Sequence, residues 1–518
     1  MPGASVISFA AAEARNISLV DMFGQPLPTV NICDVNVTLT HGNAGDRVRV
    51  EIWMPLDKTE WNGRFQGTGG GGFVAGFFAS GMGPAVAQGY AAGSTDAGLN
   101  TSFTTTELDF EDQDLRNFAS LSVHEMAVVG KAVSAQYFGR PVDFSYWNGC
   151  STGGRQGMME AQSFPEDFDG VLAVAPAINW EKFVPTNLWP YAVLNEAGEF
   201  PPLCVWDSFM AAQIAACDGD DGAEDGLLSD PVACDFDPGS VVGQNAALCR
   251  SNETTTITDD HATYFAKMMG PALSPNGTEL WFPLEHGSTL DLLATNPPQA
   301  LATTWLDGVL FPGEEFDFGS LTTRTFVDLF DRSVARFGSN IGTSNPDLSK
   351  FRDNGGKILA WHGLADQLIM PHGTFDYLSR VEERLGGASA VGEFFRVFAA
   401  PGVLHCSGGP GPEPADALGV LVKWVEEGVA PNTLPATKTV NGTTVSRNLC
   451  RWPMVLSYTD GDMNSADSWT CVDQSASGGG GSGGGGGDTD AAQGSAGRVA
   501  WAGMQMAMAL AVIAWLGC

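Results

Sequence analysis

Positive charge is scarce in this chain. Lysine and arginine number 26 against 60 aspartates and glutamates, a formal net charge of -34 over 518 residues. A surface of that sign repels phosphate backbones and argues against nucleic acid as a partner. Charged residues make up only 17% of the chain and apolar ones 44%, the composition of a folded globular protein rather than a disordered one. None of the ten cysteines sits in a C-x-x-C pair, which argues against a zinc ribbon and a thioredoxin-type motif. No internal repeat is visible. The opening MPGASVISFAAAEARN lacks the basic stretch of a secretory signal. It reads either as a marginal signal or as a chain whose true start lies upstream, and the second reading is preferred.

Cysteine itself is not scarce, and its company is informative. Glycosylation sequons stand at Asn16, Asn36, Asn100, Asn252, Asn276 and Asn441. Together with the cysteines they point to the secretory pathway. The C-terminus adds a Gly/Ser-rich tether over 475–497, then an apolar tail over 498–518 with no basic segment after it. Small residues, a polar spacer and a terminal apolar tail form the pattern of a GPI anchor, with attachment expected between Gly486 and Ala492. A tail-anchored transmembrane helix is the alternative. The protein is therefore expected to be secreted and held at the cell surface, meeting the membrane only through its anchor.

The length admits two to four domains, or one α/β domain with a large insertion. RVRVEIWMPL alternates as a half-buried strand does, and RFQGT runs into a run of glycines. The stretch 118–139 has helical apolar spacing and ends at Gly139. DFSYWN, GVLAV, GKILAW and EFFRVFAA are apolar strand candidates, and ALGVLVKWVEEG is a closing helix. Alternating strands and helices argue for an α/β sheet. Between 181 and 345 the alternation breaks into Pro-, Asp-, Asn- and Gly-rich chain. Segments 1–180 and 346–474 are thus expected to form the catalytic domain, with 181–345 as an inserted lid.

YWNGCSTGGRQG contains G-x-S-x-G, the sharp strand-to-helix turn that presents a nucleophilic serine in α/β-hydrolases. Ser151 is the candidate nucleophile. In that fold an acid and then a histidine follow, each after a later strand. Asp366 in HGLADQLIMP and His405 in GVLHCSGG occupy those places. Of the seven histidines, His41, His124, His261, His286 and His372 lack that context and read as structural or exposed, and His362 as a packing residue. The developing oxyanion needs N–H donors. These are expected from Thr152, directly after the nucleophile, and from Gly71 or a neighbour in the glycine loop Gly69–Gly72. A plain flexible loop is the alternative there. Arg155 and Gln156 open the elbow helix as supports.

Cys150 precedes the serine and Cys406 follows the histidine. A disulfide between them would hold their Cα atoms about 5.5 Å apart and bring nucleophile and base together. It would close a loop of about 255 residues, for which the chain-entropy relation gives about 5 kcal/mol. An ordinary stabilising disulfide that happens to lie nearby is the alternative. CDGDDGAEDGLLSDPVAC, from Cys217 to Cys234, crowds Asp218, Asp221 and Asp225 among glycines. Oxygen donors in such a turn suit Ca²⁺, although the residues taken alone favour a solvated acidic loop. Cys450 and Cys471 are candidates for a further bridge, as are Cys204 and Cys249 within the insertion.

Five stretches taken in order resemble the tannase/feruloyl esterase family: WNGRFQGTGGGGFVAG, YWNGCSTGGRQG, FPEDFDGVLAVAPAINW, HGLADQLIMP and LHCSGG. They lie within about residues 30 to 475, nearly the whole folded part. The resemblance implies an α/β-hydrolase fold with a lid and a Ser151–Asp366–His405 triad linked by Cys150–Cys406. It implies a structural Ca²⁺ held by the side chains of Asp218, Asp221 and Asp225 and the carbonyls of Ala223 and Leu227, with Asp220 and Glu224 as alternatives and Cys217–Cys234 closing the loop. No organic cofactor is implied. The implied substrates are esters of hydroxycinnamic or gallic acids, as small aromatic esters or on plant polysaccharides and polyphenols, with acyl choice set by the lid. The family usually carries a polar residue where Gly70 stands, so a more mobile glycine loop is expected here. Cys33 is left without a partner, which fits a missing upstream segment carrying one more cysteine. A surface-anchored binding protein that kept the fold and lost turnover is the competing reading; an intact triad and paired cysteines argue against it.

Overall fold

A computed structural model describes residues 3–20, 25–100, 102, 112–246, 249, 255–474 and 518. The tether 475–497, the anchor window and the tail as far as 517 lie outside the described residues, as does Asn252. Among the described residues no helix is long and apolar enough to cross a membrane.

The first half of the chain supplies strands β1 (Ala4–Val20), β2 (Pro26–His41), β3 (Val48–Pro55), β4 (Arg64–Thr68), β5 (Ala91–Thr95), β6 (Phe144–Cys150) and β7 (Gly170–Val174). Helices α1 (Ala79–Ala87), α2 (Asp112–Arg116), α3 (Ser122–Phe138) and α4 (Thr152–Ser163) lie between them. After the insertion come β10 (Lys357–Gly363) and β11 (Phe395–Ala400). These strands form one nine-stranded sheet in the order β1-β2-β3-β5-β4-β6-β7-β10-β11. The β1–β2, β2–β3 and β3–β5 pairs are antiparallel, and every pair from β5–β4 to β10–β11 is parallel. A parallel sheet is covered on both faces, so its central strands need no polar alternation. GVLAV and FRVFAA are buried along their whole length accordingly. This is the α/β-hydrolase fold with helices on both faces.

The faces are laid out by the residues that line them. One apolar cluster joins Val123 and Met126 of α3, Met158 of α4 and Phe375 of helix α12 (His372–Leu385) to the sheet. Another joins Met82 and Ala85 of α1 and Leu421 and Trp424 of α14 (Ala417–Glu427) to the opposite face. Caps fix the helix ends. Asp416 accepts the Gly419 N–H at 2.9 Å to start α14, and Gly139 ends α3 in left-handed backbone at φ 75°.

The chain between β7 and β10 folds as α5 (Trp180–Thr186), α6 (Trp189–Ala197), α7 (Leu203–Cys217), α8 (Asp259–Met269), the short strands β8 (Ala272–Leu273) and β9 (Glu279–Trp281), α9 (Ala300–Thr304) and α10 (Thr323–Phe337). Its own apolar cluster, centred on Trp180, Trp206 and Trp305, continues through Phe73 of the glycine loop and Leu368, Ile369 and Met370 of the loop after β10. The insertion is therefore packed directly on two loops expected to carry chemistry. Beyond β11, the short strand β12 (Glu413–Pro414) is followed by β13 (Thr433–Val440) and β14 (Thr443–Cys450), and then by β15 (Met454–Tyr458) and β16 (Trp469–Asp473), which form hairpins.

Five disulfides are present: Cys33–Cys518, Cys150–Cys406, Cys204–Cys249, Cys217–Cys234 and Cys450–Cys471. The first corrects the expectation that Cys33 lacks a partner. Cys33 lies fully buried on β2, and the last residue of the chain docks on the apolar cluster beneath it. The opening segment, read from the sequence as a marginal signal or a fragment, is strand β1, hydrogen-bonded along β2.

Candidate active site

β6 runs to Cys150 and α4 starts at Thr152, so Ser151 alone makes the turn, at φ 61° and ψ -121°. Such backbone costs about 1–3 kcal/mol for a residue with a Cβ. It persists because the surroundings hold it. Ser151 N donates to Val174 O and Ser151 O accepts from Ala177 N, both at 3.0 Å. The turn is closed by glycine, since a Cβ on Gly149 would sit 2.5 Å from the backbone of Gly153. This is why the sequence needs G-x-S-x-G at that spacing. Ser151 is 8% exposed and lines a cavity of about 500 Å³.

Asp366 stands in the loop after β10 and is fully buried. Its Oδ1 accepts the Leu368 N–H at 2.9 Å and the Ile369 N–H at 2.8 Å. Its Oδ2 meets His405 Nδ1 at 2.8 Å and His362 Nε2 at 3.0 Å. Burial alone would raise this carboxyl, but the imidazoles of His405 and His362 outweigh it and hold the group well below the usual carboxylate range. Facing a carboxylate, His405 Nδ1 carries the proton, which leaves Nε2 as the base. That Nε2 is buried and has no hydrogen-bond partner among the described residues, and His405 lines the same cavity as Ser151. The sulfur link between Cys150 and Cys406 holds their Cα atoms 5.9 Å apart. Cys406, like Ser151, is in left-handed backbone, at φ 64°.

His362 is the residue that sequence reading undervalued. It is fully buried, and its Nε2 contacts both Asp366 Oδ2 and Ile369 O, the latter at 3.1 Å. Two acceptors fix the proton on Nε2, so Nδ1 accepts from Thr374 Oγ1 at 2.9 Å. Asp366 therefore has two imidazole partners. His362 stands four residues before Asp366 in WHGLAD, at the end of an apolar strand, and that placement was the available signal.

The oxyanion donors divide. Thr152 N–H, in the first turn of α4, has no acceptor among the described residues and is free for a ligand. Gly71 is corrected: its N–H donates to Val74 O at 3.0 Å in a small antiparallel bridge. Gly69 N–H is held by Asn148 O and Gly70 N–H by Gln156 Oε1. The glycine loop is thus pinned at three successive amides. A Cβ on Gly70 would lie 1.9 Å from Val74 O, so this loop conformation excludes any side chain there. Gln156 also donates to Ala75 O at 2.9 Å, and Arg155 reaches Ala119 O and Phe118 O at 2.7 and 3.0 Å. Both tie the elbow helix to its surroundings. The cavity is lined by the glycine loop, α1, the elbow and the His405 loop; no residue between 181 and 345 is among those lining it.

Away from this centre, Asp218 Oδ1 accepts three backbone N–H groups, from Asp225, Gly226 and Leu227. Asp225 Oδ2 pairs with Arg447 at 2.6 Å. Asp221 Oδ1 accepts from Ala223 N, while its Oδ2 is buried without a partner. Burial, with Asp225 and Asp218 adding to it, pushes the Asp221 carboxyl up to about 6.

A family description, tannase and feruloyl esterase, matches residues 33–472. The chain belongs to the tannase and feruloyl esterase family. It is a carboxylic ester hydrolase of α/β-hydrolase fold. A probable feruloyl esterase of Arthroderma benhamiae is 43% identical over 91% of this chain and 92% of its own length. A probable feruloyl esterase B-1 of Aspergillus flavus is 31% identical over 85% of this chain and 86% of that protein. Among solved structures, the tannin acyl hydrolase of Aspergillus niger superposes with a TM-score of 0.82 at 26% identity, covering 92% of this chain and 93% of that one. Feruloyl esterase B of Aspergillus oryzae does so with 0.79 at 27%, covering 91% and 97%.

Proposed function

We propose that this family member hydrolyses esters of aromatic acids, hydroxycinnamoyl esters of plant material before galloyl ones, through an acyl-enzyme on Ser151. One observation carries the mechanism: Ser151 and the unpartnered His405 Nε2 face one cavity, with Asp366 fixed behind His405. His405 takes the Ser151 proton as Oγ attacks the ester carbonyl, and Thr152 N–H faces the oxyanion. The C–O bond to the alcohol breaks, and the alcohol leaves with the proton from His405. Water then gives its proton to His405 and attacks the acyl carbonyl, and as the acyl–Oγ bond breaks His405 returns the proton to Ser151 Oγ, releasing the acid. The preference for hydroxycinnamoyl esters rests on the relatives named feruloyl esterase, one of them 43% identical. A panel of methyl ferulate, methyl gallate and p-nitrophenyl esters tests the proposal against Ser151→Ala. Turnover that the variant abolishes supports it, and equal signals from both proteins reject it.

The insertion is read as the lid, and its acidic loop as a structural Ca²⁺ site. The buried Asp221 Oδ2, its carboxyl raised by burial and then by the neighbouring carboxylates of Asp225 and Asp218, is what a cation would satisfy. Asp218, Asp221 and Asp225 with the carbonyls of Ala223 and Leu227 would hold it. A cation there supplies only neutralisation, securing the insertion against β14 through Asp225 and Arg447. Chelation is expected to lower the melting temperature, and an unchanged value counts against the site. Secretion and a lipid anchor complete the reading, supported by the sequons and by the composition of the C-terminal segment.

A further inference from the structure

The cavity beside Ser151 has a polar floor that the triad does not use. Gln66 of β4 points into it, is 3% exposed, and makes no side-chain hydrogen bond among the described residues. Asn148 of β6 and Gln88 at the end of α1 line the same space, and neither side chain has a hydrogen-bond partner there. Strand pairing sets this up. Gln66 is registered opposite Tyr146, and Asn148 opposite Thr68, so the two amides lie two residues apart on the α1 side of the sheet. The amide atoms of Gln66 and Asn148 are not sealed in the core but open on the cavity, where a ligand that hydrogen-bonds can reach them. No aspartate, glutamate, lysine or arginine lines the cavity. The occupant is therefore neutral, and it carries groups that both donate and accept.

The chemistry of the reaction says which half of the ester this is. The leaving alcohol takes its proton from His405, so it departs beside His405, Cys406 and Ser407, which form the rim of this cavity. Phe77, Pro84, Ala85 and Leu418 give the cavity apolar walls as well, but three free carboxamides exceed what the few polar groups of an aromatic acyl can satisfy and match the several hydroxyls of a sugar. We propose that the cavity is the alcohol subsite of the esterase, that it takes a neutral sugar, and that Gln66, Asn148 and Gln88 read the sugar's hydroxyls. This rests on the active-site reading above and deepens it, by placing the alcohol on the α1 side rather than under the insertion.

The test compares methyl ferulate with a feruloyl arabinose ester on the wild-type enzyme, Gln66→Met and Gln88→Ala. Loss of one neutral hydrogen bond is about tenfold in kcat/KM. The ratio of kcat/KM for the sugar ester over the methyl ester is expected to fall about tenfold in Gln66→Met and several-fold in Gln88→Ala. Gln88 is exposed at a helix end, so its variant keeps the question answerable if Gln66→Met fails to fold. A ratio unchanged in every variant that folds overturns the subsite, whether the amides are satisfied by water or serve packing. A ratio that rises overturns it too; with the acyl group as occupant both esters would lose kcat/KM alike and the ratio would stay unchanged. Wild-type protein that turns over neither ester defeats the active-site reading itself, a different result from all of these.

Discussion

His362 shows how one buried side chain acts through another. Asp366 holds His405 by one oxygen, and the same oxygen is held from behind by His362. Removing His362 frees that oxygen to swing and leaves His405 less firmly aimed, so His362 is a positioning residue. His362→Leu is expected to lower kcat about a hundredfold with KM little changed. His362→Gln, which keeps an N–H donor, should recover about tenfold of that loss. Equal kcat for the two variants would reduce the role of His362 to packing. Glu160 on α4 carries a second single-residue prediction. Both its carboxyl oxygens are buried against Asp167, which bonds His124 at 2.5 Å. Burial first, and then the neighbouring Asp167, raise the Glu160 carboxyl well above its ordinary 4.5. A raised folded-state value means that the native protein holds a proton the unfolded chain gives up. Its contribution is complete below pH 4.5 and is lost as pH climbs through the raised value. Asp366 has the opposite sign: held low, its contribution is present above its ordinary 3.8 and lost as pH falls through the depressed value. Melting temperature should therefore decline on the alkaline side in wild type and decline less in Glu160→Gln. Identical slopes would show that Glu160 does not titrate in that range.

The elbow and the His405 loop are two elements that each contain a residue in unfavourable backbone, Ser151 at φ 61° and Cys406 at φ 64°. The Cys150–Cys406 bond couples these turns directly, one residue from Ser151 at one end and one from His405 at the other. Removing it releases a loop of 256 residues. The stability loss should reach about 5 kcal/mol. The double variant Cys150→Ala/Cys406→Ala should also lose activity at temperatures where circular dichroism shows it folded, because Ser151 and His405 are then aligned by packing alone. Full activity in a folded double variant would leave the bond a stabiliser and nothing more. Much of this was legible in the chain. GVLAV, KILAWHG and FRVFAA are apolar runs of strand length, the glycines mark the elbow, and the acid and base follow their strands in order. Less legible were contacts made only when distant elements meet. The bridge that occupies the Gly71 N–H depends on Val74 curling back across the glycine loop. The free amides on the α1 side depend on β4 pairing with β6, two strands separated by α1, β5, α2 and α3. No period in the sequence announces either. In the long β1–β2 hairpin the small and mixed residues of β1 carry no clean alternation, and pairing rather than pattern makes it a strand; in β2 the alternation of buried Val35, Val37 and Leu39 with Asn36, Thr38 and Thr40 was the available signal.

The molecule as a whole poses one conflict that experiment can resolve. A lipid anchor attached between Gly486 and Ala492 requires the apolar tail to be removed, and Cys518 with it. In the folded chain Cys518 is bonded to Cys33 on β2. The two states exclude each other, since one cysteine cannot both leave with the tail and remain joined to the sheet. The anchor proposal therefore makes a definite chemical statement about Cys33. In an anchored form Cys33 would have lost Cys518, and it lies among Val35, Met54 and Phe65 on the covered face of the sheet, as a thiol unless a cysteine of an upstream segment takes that place. Buried as it is, it should resist alkylation by iodoacetamide in the native protein and react after unfolding in guanidinium. Peptide mapping of protein from its own secretory host, without reductant, should recover Cys33 free of Cys518, as the alkylated peptide or joined to an upstream cysteine. A phospholipase that cleaves GPI lipid should release the enzyme from the cell surface. Recovery of a Cys33–Cys518 linked peptide from that material would overturn the anchor and make the bond a covalent closure of the sheet's antiparallel edge by the end of the chain.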